Sequence, residues 1–129
     1  MKRSFNKCLP YLVFLVIGCF FIKAMIRDKQ LTSDFKIVPG GVVNFYADYK
    51  GSGGSVKYSF EVNGQIYHGL GAYPTIYSSR GYSLIGESFP VAYQVDDLNN
   101  NRMLITTTDF KEFNLAFPDS LAWIKKMER

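Results

Sequence analysis

The stretch from Cys8 to Ile26 constrains this chain more than any other part of its sequence. Its 19 residues contain a single charge, that of Lys23. As an α-helix it would be about 28 Å long, close to the bilayer hydrocarbon thickness of about 30 Å. Lys23 lies one turn from the end, where its stem can reach the lipid headgroups. The sequence therefore predicts a transmembrane anchor over 8–26, preceded by a short flank over 1–7.

Two other interpretations of this segment remain open. A cleaved signal peptide needs small residues at the cleavage point, and none follows the apolar run. The residues Val16-Ile-Gly-Cys19 resemble a bacterial lipobox, which would make Cys19 an acylated residue. Phe20 and Phe21 continue the apolar run, however, whereas lipoproteins usually turn polar after the cysteine. A spanning anchor is the preferred interpretation, and lipidation of Cys19 is the minor one.

The positive charge of the chain belongs to its N-terminal part. The formal net charge is +4, and residues 1–27 contain five basic residues and no acidic one. Residues 28–129 are therefore left with a net charge of −1. Affinity for a polyanion depends on Lys and Arg that neutralise phosphates, so nucleic acid is not an expected partner. The basic flank before the span favours a cytoplasmic N-terminus. We therefore expect a single-pass protein of the cell membrane with its domain outside the cytoplasm.

The sequence offers little for catalysis or metal binding. Both cysteines, Cys8 and Cys19, lie in the apolar segment, so the rest of the chain has no disulfide, thiolate ligand or thiol nucleophile. His68 is the sole histidine, and a typical zinc site needs further Cys, His or carboxylate ligands. We expect His68 to lie in a core or to line a barrel. No catalytic residue, metal, cofactor or small-molecule substrate is predicted, and the protein is not expected to be an enzyme.

A polar linker is predicted over 27–36 and a β domain over 37–129. The clearest strand runs from Ser55 to Asn63, where Val56, Tyr58, Phe60 and Val62 alternate with polar residues. Asn63-Gly64 is typical of a type I′ hairpin turn. The chain then returns from Gln65 to Tyr73, and Ile66, His68 and Leu70 share one face of the returning strand.

Further elements complete the predicted domain. Three more strands are expected over 41–49, 87–95 and 103–107. In the first of these strands one face carries Val43, Phe45 and Ala47. In the second, one face carries Phe89, Val91, Tyr93 and Val95. The run from Asp96 to Arg102 is rich in turn formers and predicts a turn. Thr108 or Asp109 is expected to cap a short helical turn with Glu112, and a second helix is expected over 118–127. Five short strands predict a small SH3-like or OB-like barrel, or a sandwich, closed by the C-terminal helix.

Two loops carry fragments of ligand-binding motifs. The Gly/Ser-rich run from Lys50 to Ser55 lacks the terminal Gly-Lys-Ser/Thr of a phosphate loop, and a strand rather than a helix follows it. The run from Asp96 lacks the central glycine of an EF-hand loop, and Thr107 stands at its twelfth position, where a glutamate is required. Both runs are therefore interpreted as connections between strands.

Three segments of the domain form a recognisable pattern, and they are Val56-Lys-Tyr-Ser-Phe-Glu-Val-Asn-Gly-Gln-Ile-Tyr67, then Gly86 to Tyr93, then Asn99 to Ile105. This pattern resembles that of an uncharacterised bacterial family of small membrane-anchored β-domain proteins. The chain departs from the family pattern at 99–102, where Asn-Asn-Asn-Arg replaces a proline-containing turn. The resemblance implies a membrane anchor with a β domain and no assigned activity.

The candidate contact residues lie around the longest irregular segment. Tyr73, Tyr77, Arg80 and Tyr82 cluster there in sequence, and exposed aromatics with arginine are typical of recognition surfaces. The sequence thus predicts a membrane-anchored accessory or interaction module whose partners are the bilayer and another membrane or envelope protein. The alternative is a structural subunit of such a complex, with the spanning helix making the subunit contacts.

Overall fold

A computed structural model describes the backbone of residues 2–48 and 52–128 and the side chains of residues 11–48 and 53–128. The elements, in chain order, are α1 (Lys2–Ser33), β1 (Lys36–Ala47), β2 (Ser52–Val62), β3 (Gln65–Tyr77), a first 3₁₀ helix (Gly81–Leu84), β4 (Ser88–Gln94), β5 (Asp97–Met103), α2 (Thr107–Glu112) and a second 3₁₀ helix (Asp119–Lys126). The chain divides into two compact units, Met1–Gln30 and Leu31–Arg129.

The described residues of the first unit all belong to α1. Large apolar side chains project from α1 into the surroundings on all its sides between residues 11 and 26, and they are Tyr11, Leu12, Val13, Phe14, Leu15, Val16, Ile17, Phe20, Phe21, Ile22, Met25 and Ile26. Over the described residues, no helix is both long enough and apolar enough to cross a membrane. The predicted span starts at Cys8, and the side chains of residues 8–10 lie outside the described ones.

The second unit is built on one antiparallel sheet with the strand order β3-β2-β1-β4-β5. The sheet curls until its two outer strands approach each other, so that it forms a nearly closed barrel. Because each pair of neighbours is antiparallel, an odd number of strands makes β3 and β5 run parallel where they meet. The prediction of a mainly-β, five-stranded, barrel-like domain with short helices is confirmed.

The hairpin of β2 and β3 forms at its predicted place. Asn63 and Gly64 have φ values of 53° and 79°, as a type I′ turn requires. Val56, Tyr58 and Phe60 are buried, as the alternation along β2 predicts.

Ile66, His68 and Leu70 share one face of β3, as predicted, but this face points outward. Ile66 and Leu70 are 67% and 65% exposed, and His68 is also exposed. The register pairs Ile66 with Glu61, Leu70 with Lys57 and His68 with Ser59. Residues paired directly across an antiparallel ladder point to the same face, so the outward residues of β2 determine which residues of β3 face outward. The expectation that His68 lies in the core or lines the barrel is corrected accordingly.

A β-bulge changes the inward face of β1. The pairing with β2 shifts between Val42 and Asn44, which leaves Val43 as an extra residue in the strand. Val42 and Phe45 are both buried, whereas Val43 is 47% exposed. The prediction that Val43 shares the buried face with Phe45 was therefore wrong, because strict alternation cannot continue through a bulge.

The predicted turn over 96–102 is mostly strand. The turn occupies Val95 and Asp96, and β5 then runs from Asp97 to Met103, where the predicted last strand was expected to begin. Two asparagines of this run use their amides within the sheet. Asn100 Nδ2 donates to Gln94 Oε1 at 2.9 Å, and Asn101 Nδ2 donates to the Leu98 carbonyl at 2.9 Å. Side chains that often stabilise turns here stabilise an edge strand.

Both helical segments after β5 are present, with different details. Thr106 caps α2, and Asp109 rather than Glu112 completes the capping box. The second segment is a 3₁₀ helix over Asp119–Lys126 instead of an α-helix over 118–127. Ile124 is fully buried against the sheet, and the Trp123 ring lies 6.0 Å from the Phe89 ring.

Two apolar clusters hold the second unit together. The main cluster fills the barrel and includes Phe45, Tyr58, Phe89 and Ile124. The smaller cluster contains Leu31, Ala92, Leu104, Phe110 and Phe113. Leu31 belongs to α1, which remains helical to Ser33, and β1 begins at Lys36. The segment predicted as a polar linker over 27–36 thus contributes to the folded unit.

Gly69 on β3 provides a test of the barrel closure. A Cβ there would collide with the Tyr58 ring and with Asn101 Oδ1, whereas a Cβ at Gly41 would meet no atom within 4 Å. We expect Gly69→Ala to lower the free energy of unfolding by about 2 kcal/mol through overpacking. Urea unfolding followed by the fluorescence of Trp123, the single tryptophan, measures this change. Gly41→Ala is the matched control, and an equal loss in both variants would contradict the proposed collision.

Candidate functional site

A polar cluster lies beside the junction of β3 and β5. Asp109 is 2% exposed. Its Oδ1 accepts hydrogen bonds from Arg102 Nη2 at 2.8 Å and from Arg102 Nε at 3.2 Å. Its Oδ2 accepts from the backbone nitrogens of Ile105 and Thr106 at 3.1 and 2.9 Å, and from Thr106 Oγ1 at 2.9 Å. One carboxylate therefore fixes Arg102 and the start of α2 together.

Two tyrosines extend this cluster across the junction. The Arg102 guanidinium lies over the Tyr73 ring, 4.3 Å from its centroid, and donates to the Ala72 carbonyl at 3.0 Å. The Tyr73 hydroxyl donates to the Met103 carbonyl at 2.5 Å. The Tyr58 hydroxyl donates to Asn101 Oδ1 at 2.5 Å. These contacts connect β3 and β2 to β5 through side chains.

The protonation equilibria of the cluster are shifted by burial. Burial raises the pKa of the Tyr58 hydroxyl to about 12, although the Arg102 charge opposes this change. Burial also raises the pKa of Tyr73 well above its ordinary value. Burial opposes the charge on Arg102, but Tyr73 and Asp109 beside it raise the pKa of the guanidinium. At neutral pH the two tyrosines are hydrogen-bond donors beside a cation.

The arrangement of this cluster is structural. Among the described residues, every buried side-chain nitrogen and oxygen has a hydrogen-bond partner, and the partners in this cluster are other protein groups. Tyr58, Tyr73 and Asp109 each appeared in a separate prediction from the sequence. No prediction brought them together with Arg102. The spacing of Thr106 and Asp109 is that of a capping box, and this signal could have identified Asp109. Its partner Arg102 lies in a run that was predicted to be a turn.

The second candidate is an exposed surface where β3 ends. Tyr77 closes the strand, residues 78–80 form a turn, and Tyr82 lies in the first 3₁₀ helix. Tyr77 is 39% and Tyr82 is 56% exposed. The Arg80 guanidinium lies 4.9 Å from the centroid of the Tyr77 ring, and the Tyr82 ring packs edge-on against Phe45 at 5.3 Å. We call Tyr77, Arg80 and Tyr82 the aromatic–arginine surface.

The fourth predicted contact residue does not join this surface. Tyr73 is 1% exposed and belongs to the main cluster of the core. Its side chain faces the interior because Tyr73 follows the inward register of β3, and its hydroxyl is bonded to the Met103 carbonyl. The sequence-predicted group therefore separates into one barrel-closing residue and three exposed ones.

The end of the chain packs beside the aromatic–arginine surface. Arg80 Nη1 donates to the Lys126 carbonyl, and the Tyr77 nitrogen donates to the Met127 carbonyl at 2.9 Å. A shallow groove of about 520 Å³ lies here, and its lining residues are Ser79, Arg80, Ser83, Lys126 and Met127. Two cations thus border the exposed tyrosines in a domain whose net charge is slightly negative.

The remaining sequence features lie apart from one another. Cys19 is exposed on α1, and His68 is exposed on β3. Lys50 and Gly51 of the Gly/Ser-rich run lie outside the described residues. No group of three or more His, Cys, Asp or Glu side chains that could hold a metal ion occurs within the described part of the chain.

Comparison with family models, with curated proteins and with solved structures finds no match to this chain. The resemblance between residues 56–105 and an uncharacterised family of membrane-anchored β-domain proteins therefore stays a prediction.

Removal of the Asp109 carboxylate should destabilise the barrel. Asp109→Ala leaves Arg102 without its ion-pair partner and two backbone N–H groups without their acceptor. We expect a loss of about 3 kcal/mol in the free energy of unfolding. The loss should not be larger, because the Arg102 side chain keeps partial access to water. Urea unfolding measures it. Asp119→Ala, at an exposed carboxylate, should change the same quantity by less than about 0.5 kcal/mol. A small effect of Asp109→Ala would show that the ion pair does not hold the junction.

The raised pKa of Tyr58 makes stability depend on alkaline pH. The folded state favours the neutral phenol of Tyr58. The contribution of this phenol to the free energy of unfolding is therefore complete below pH 10 and is lost as the pH rises from 10 to about 12. Ionisation should cost the folded state up to about 3 kcal/mol. Urea unfolding at pH 8 and pH 11.5 should show a smaller loss for Tyr58→Phe than for the unmodified chain. Equal losses in the two chains would contradict this assignment.

Proposed function

We propose that the chain is a membrane-anchored accessory module that presents a small β barrel to another membrane or envelope protein. The observation that carries the proposal is the outer surface of α1 between residues 11 and 26, where exposed apolar side chains occur on every side of the helix. A helix that is apolar all round is stable when apolar surroundings cover it, either a large protein core or a bilayer.

The sequence before residue 11 strengthens the membrane interpretation. Cys8, Leu9 and Pro10 extend the apolar run to 19 residues with one charge, a length that matches the hydrocarbon layer. Pro10 falls near the start of this run, where a missing N–H costs little. The basic residues before the run favour a cytoplasmic N-terminus and a barrel outside the cytoplasm.

The strand order favours one of the predicted barrel types. β1 lies at the centre of the sheet and pairs with both β2 and β4, while β3 and β5 approach at the junction. A partly open five-stranded barrel of this kind is of the OB type, in which exposed faces and loops bind ligands. Residues 28–129 carry a net charge of −1, which favours a protein partner over a polyanion.

The aromatic–arginine surface is the proposed contact. Tyr and Arg are enriched among the residues that dominate binding energy at protein interfaces. Here they are held in place before binding, because Arg80 is bonded to the Lys126 carbonyl and stacked on Tyr77. Side chains already ordered in the free protein lose less entropy on binding. Since Arg80 and Lys126 are cations, the expected partner surface offers carboxylates or carbonyl oxygens.

A second candidate function follows from the helix itself. Gly18 and Cys19 form a small-residue patch on α1, and no atom lies within 4 Å of the Cβ position of Gly18. Small residues allow close approach of helices in a membrane. The chain would then be a structural subunit of a membrane or envelope complex, with α1 making the subunit contacts.

Crosslinking in native membranes distinguishes these functions. The full chain is compared with the double variant Tyr77→Ala/Tyr82→Ala and with a chain whose residues 8–26 are replaced by an unrelated apolar span. If the barrel is the interaction module, the double variant should lose the crosslinked partner at least about tenfold. The span replacement should then keep it. The reverse pattern supports the subunit function.

Two controls accompany this experiment. Tyr46→Ala removes a tyrosine of similar exposure elsewhere on the barrel and should leave the crosslink unchanged. Cys19→Ser should leave the chain in the membrane pellet after carbonate washing. If a lipid on Cys19 were the only attachment to the membrane, this variant would lose it and be released. Release of the unmodified chain by carbonate would contradict the spanning anchor.

A further inference from the structure

The outward face of β1, β2 and β3 carries apolar side chains that the barrel does not cover. Ile66 and Leu70 on β3 and Val43 at the bulge of β1 are all exposed. Between the β3 and β1 residues lie the exposed charges of β2, Lys57 and Glu61. We call this the outer face.

The outer face has a centre about which its residues are arranged. The ladder pairs Ser59 with His68 at this centre. Lys57 and Glu61 lie two residues away on opposite sides of Ser59, so they are about 13 Å apart at roughly 3.3 Å per residue. Their cross-strand neighbours are Leu70 beside Lys57 and Ile66 beside Glu61. Each side of the centre therefore carries one charge and one large aliphatic side chain.

This arrangement is self-complementary. If two copies stack face to face, a two-fold axis can lie midway between the sheets. It runs perpendicular to the strands and passes over the Ser59–His68 pair of each copy. Lys57 of each copy then lies opposite Glu61 of the other, and Leu70 lies opposite Ile66. The same patch can serve on both copies only when it matches itself under this rotation. Strands packed this way are aligned, the usual geometry of stacked sheets about 10 Å apart.

The surface shape of the outer face agrees with the pairing of Lys57 with Glu61 of the second copy. A groove of about 300 Å³ runs across β1 from Glu61 and Ile66, past Ser59, to Glu87 just before β4. Gly41 also lines the groove, and no atom lies within 4 Å of its Cβ position. The groove thus combines two carboxylates with an open floor. On the opposite side of the centre from Glu61 stands the cation of Lys57.

We propose that the outer face is the interface of a two-fold homodimer in which Lys57 of each copy enters the groove of the second copy, between Glu61 and Glu87. The groove has a volume of about 300 Å³, and the carboxylates of Glu61 and Glu87 in its lining supply the charge opposite to that of Lys57. Leu70 and Ile66 cover each other beside this ion pair, and His68 and Ser59 meet their own counterparts at the axis.

Charge exchange in the full chain tests the symmetry directly. In Lys57→Glu, two pairs of carboxylates face each other, and in Glu61→Lys, two pairs of ammonium groups do so. Each variant alone should associate at least about tenfold more weakly than the unmodified chain. A mixture of the two variants should associate again, since every exchanged residue then faces an opposite charge. Energy transfer between two fluorescently labelled populations in detergent measures association.

The control exchanges a charge pair outside the outer face. Lys111→Glu and Glu112→Lys change exposed residues of α2 and should leave energy transfer unchanged. Absence of transfer in the unmodified chain would overturn the homodimer. Single variants that associate as well as the unmodified chain, or a mixture that stays dissociated, would overturn the proposed pairing.

A crosslink at the axis identifies the occupant. His68→Cys is placed in a chain with Cys8→Ser and Cys19→Ser, so that the new thiols of two copies face each other across the axis. Because stacked sheets lie about 10 Å apart, too far for a direct disulfide, a bismaleimide with a reach of about that length should join the two thiols into a covalent dimer in native membranes. Thr108→Cys, an exposed position on α2, should give no such dimer. A product that joins the introduced thiol to a different protein would overturn the assignment of a second copy.

Discussion

The barrel depends on the contacts that join β3 to β5. Five strands paired in antiparallel fashion bring the two outer strands together in parallel orientation. Here side chains bridge the approach, because Arg102 bonds to the Ala72 carbonyl and the Tyr73 hydroxyl bonds to the Met103 carbonyl. Asp109 holds Arg102 in place with one oxygen, and its other oxygen accepts from the backbone nitrogen of Thr106, the N-cap of α2. One ion pair thus couples the closure of the sheet to the helix that follows it.

This closure also positions the exposed aromatic–arginine surface. Tyr73 is fixed in the core, and the same strand continues for four residues to Tyr77, where the chain turns. The backbone of Tyr77 is bonded to Met127, and Arg80 is bonded to Lys126. The surface is therefore supported from β3 on one side and from the end of the chain on the other. The side chains of this surface are therefore held in place by the fold itself, before any partner binds.

The sequence predicted those parts of the fold whose signal is local. Alternation along β2 and the Asn63-Gly64 turn identified the hairpin and its inward residues. The face of β3 depends on its register with β2, and the inward residues of β1 depend on a bulge at Val43. Neither can be derived from the alternation of a single strand. The same limit applies to Tyr73. It is close in sequence to the exposed residues Tyr77, Arg80 and Tyr82, and only the register of β3 reveals that its own side chain is buried.

The two proposed surfaces have complementary roles because β3 connects them. Ile66, His68 and Leu70 face outward on its first half, and Tyr77 ends the strand beyond the residues at the junction. A dimer formed through the outer face would carry two copies of the aromatic–arginine surface. Two linked surfaces bind a partner with repeated sites more tightly than one, because the second contact forms at high effective concentration. Self-association would then strengthen partner binding without any new contact to the partner.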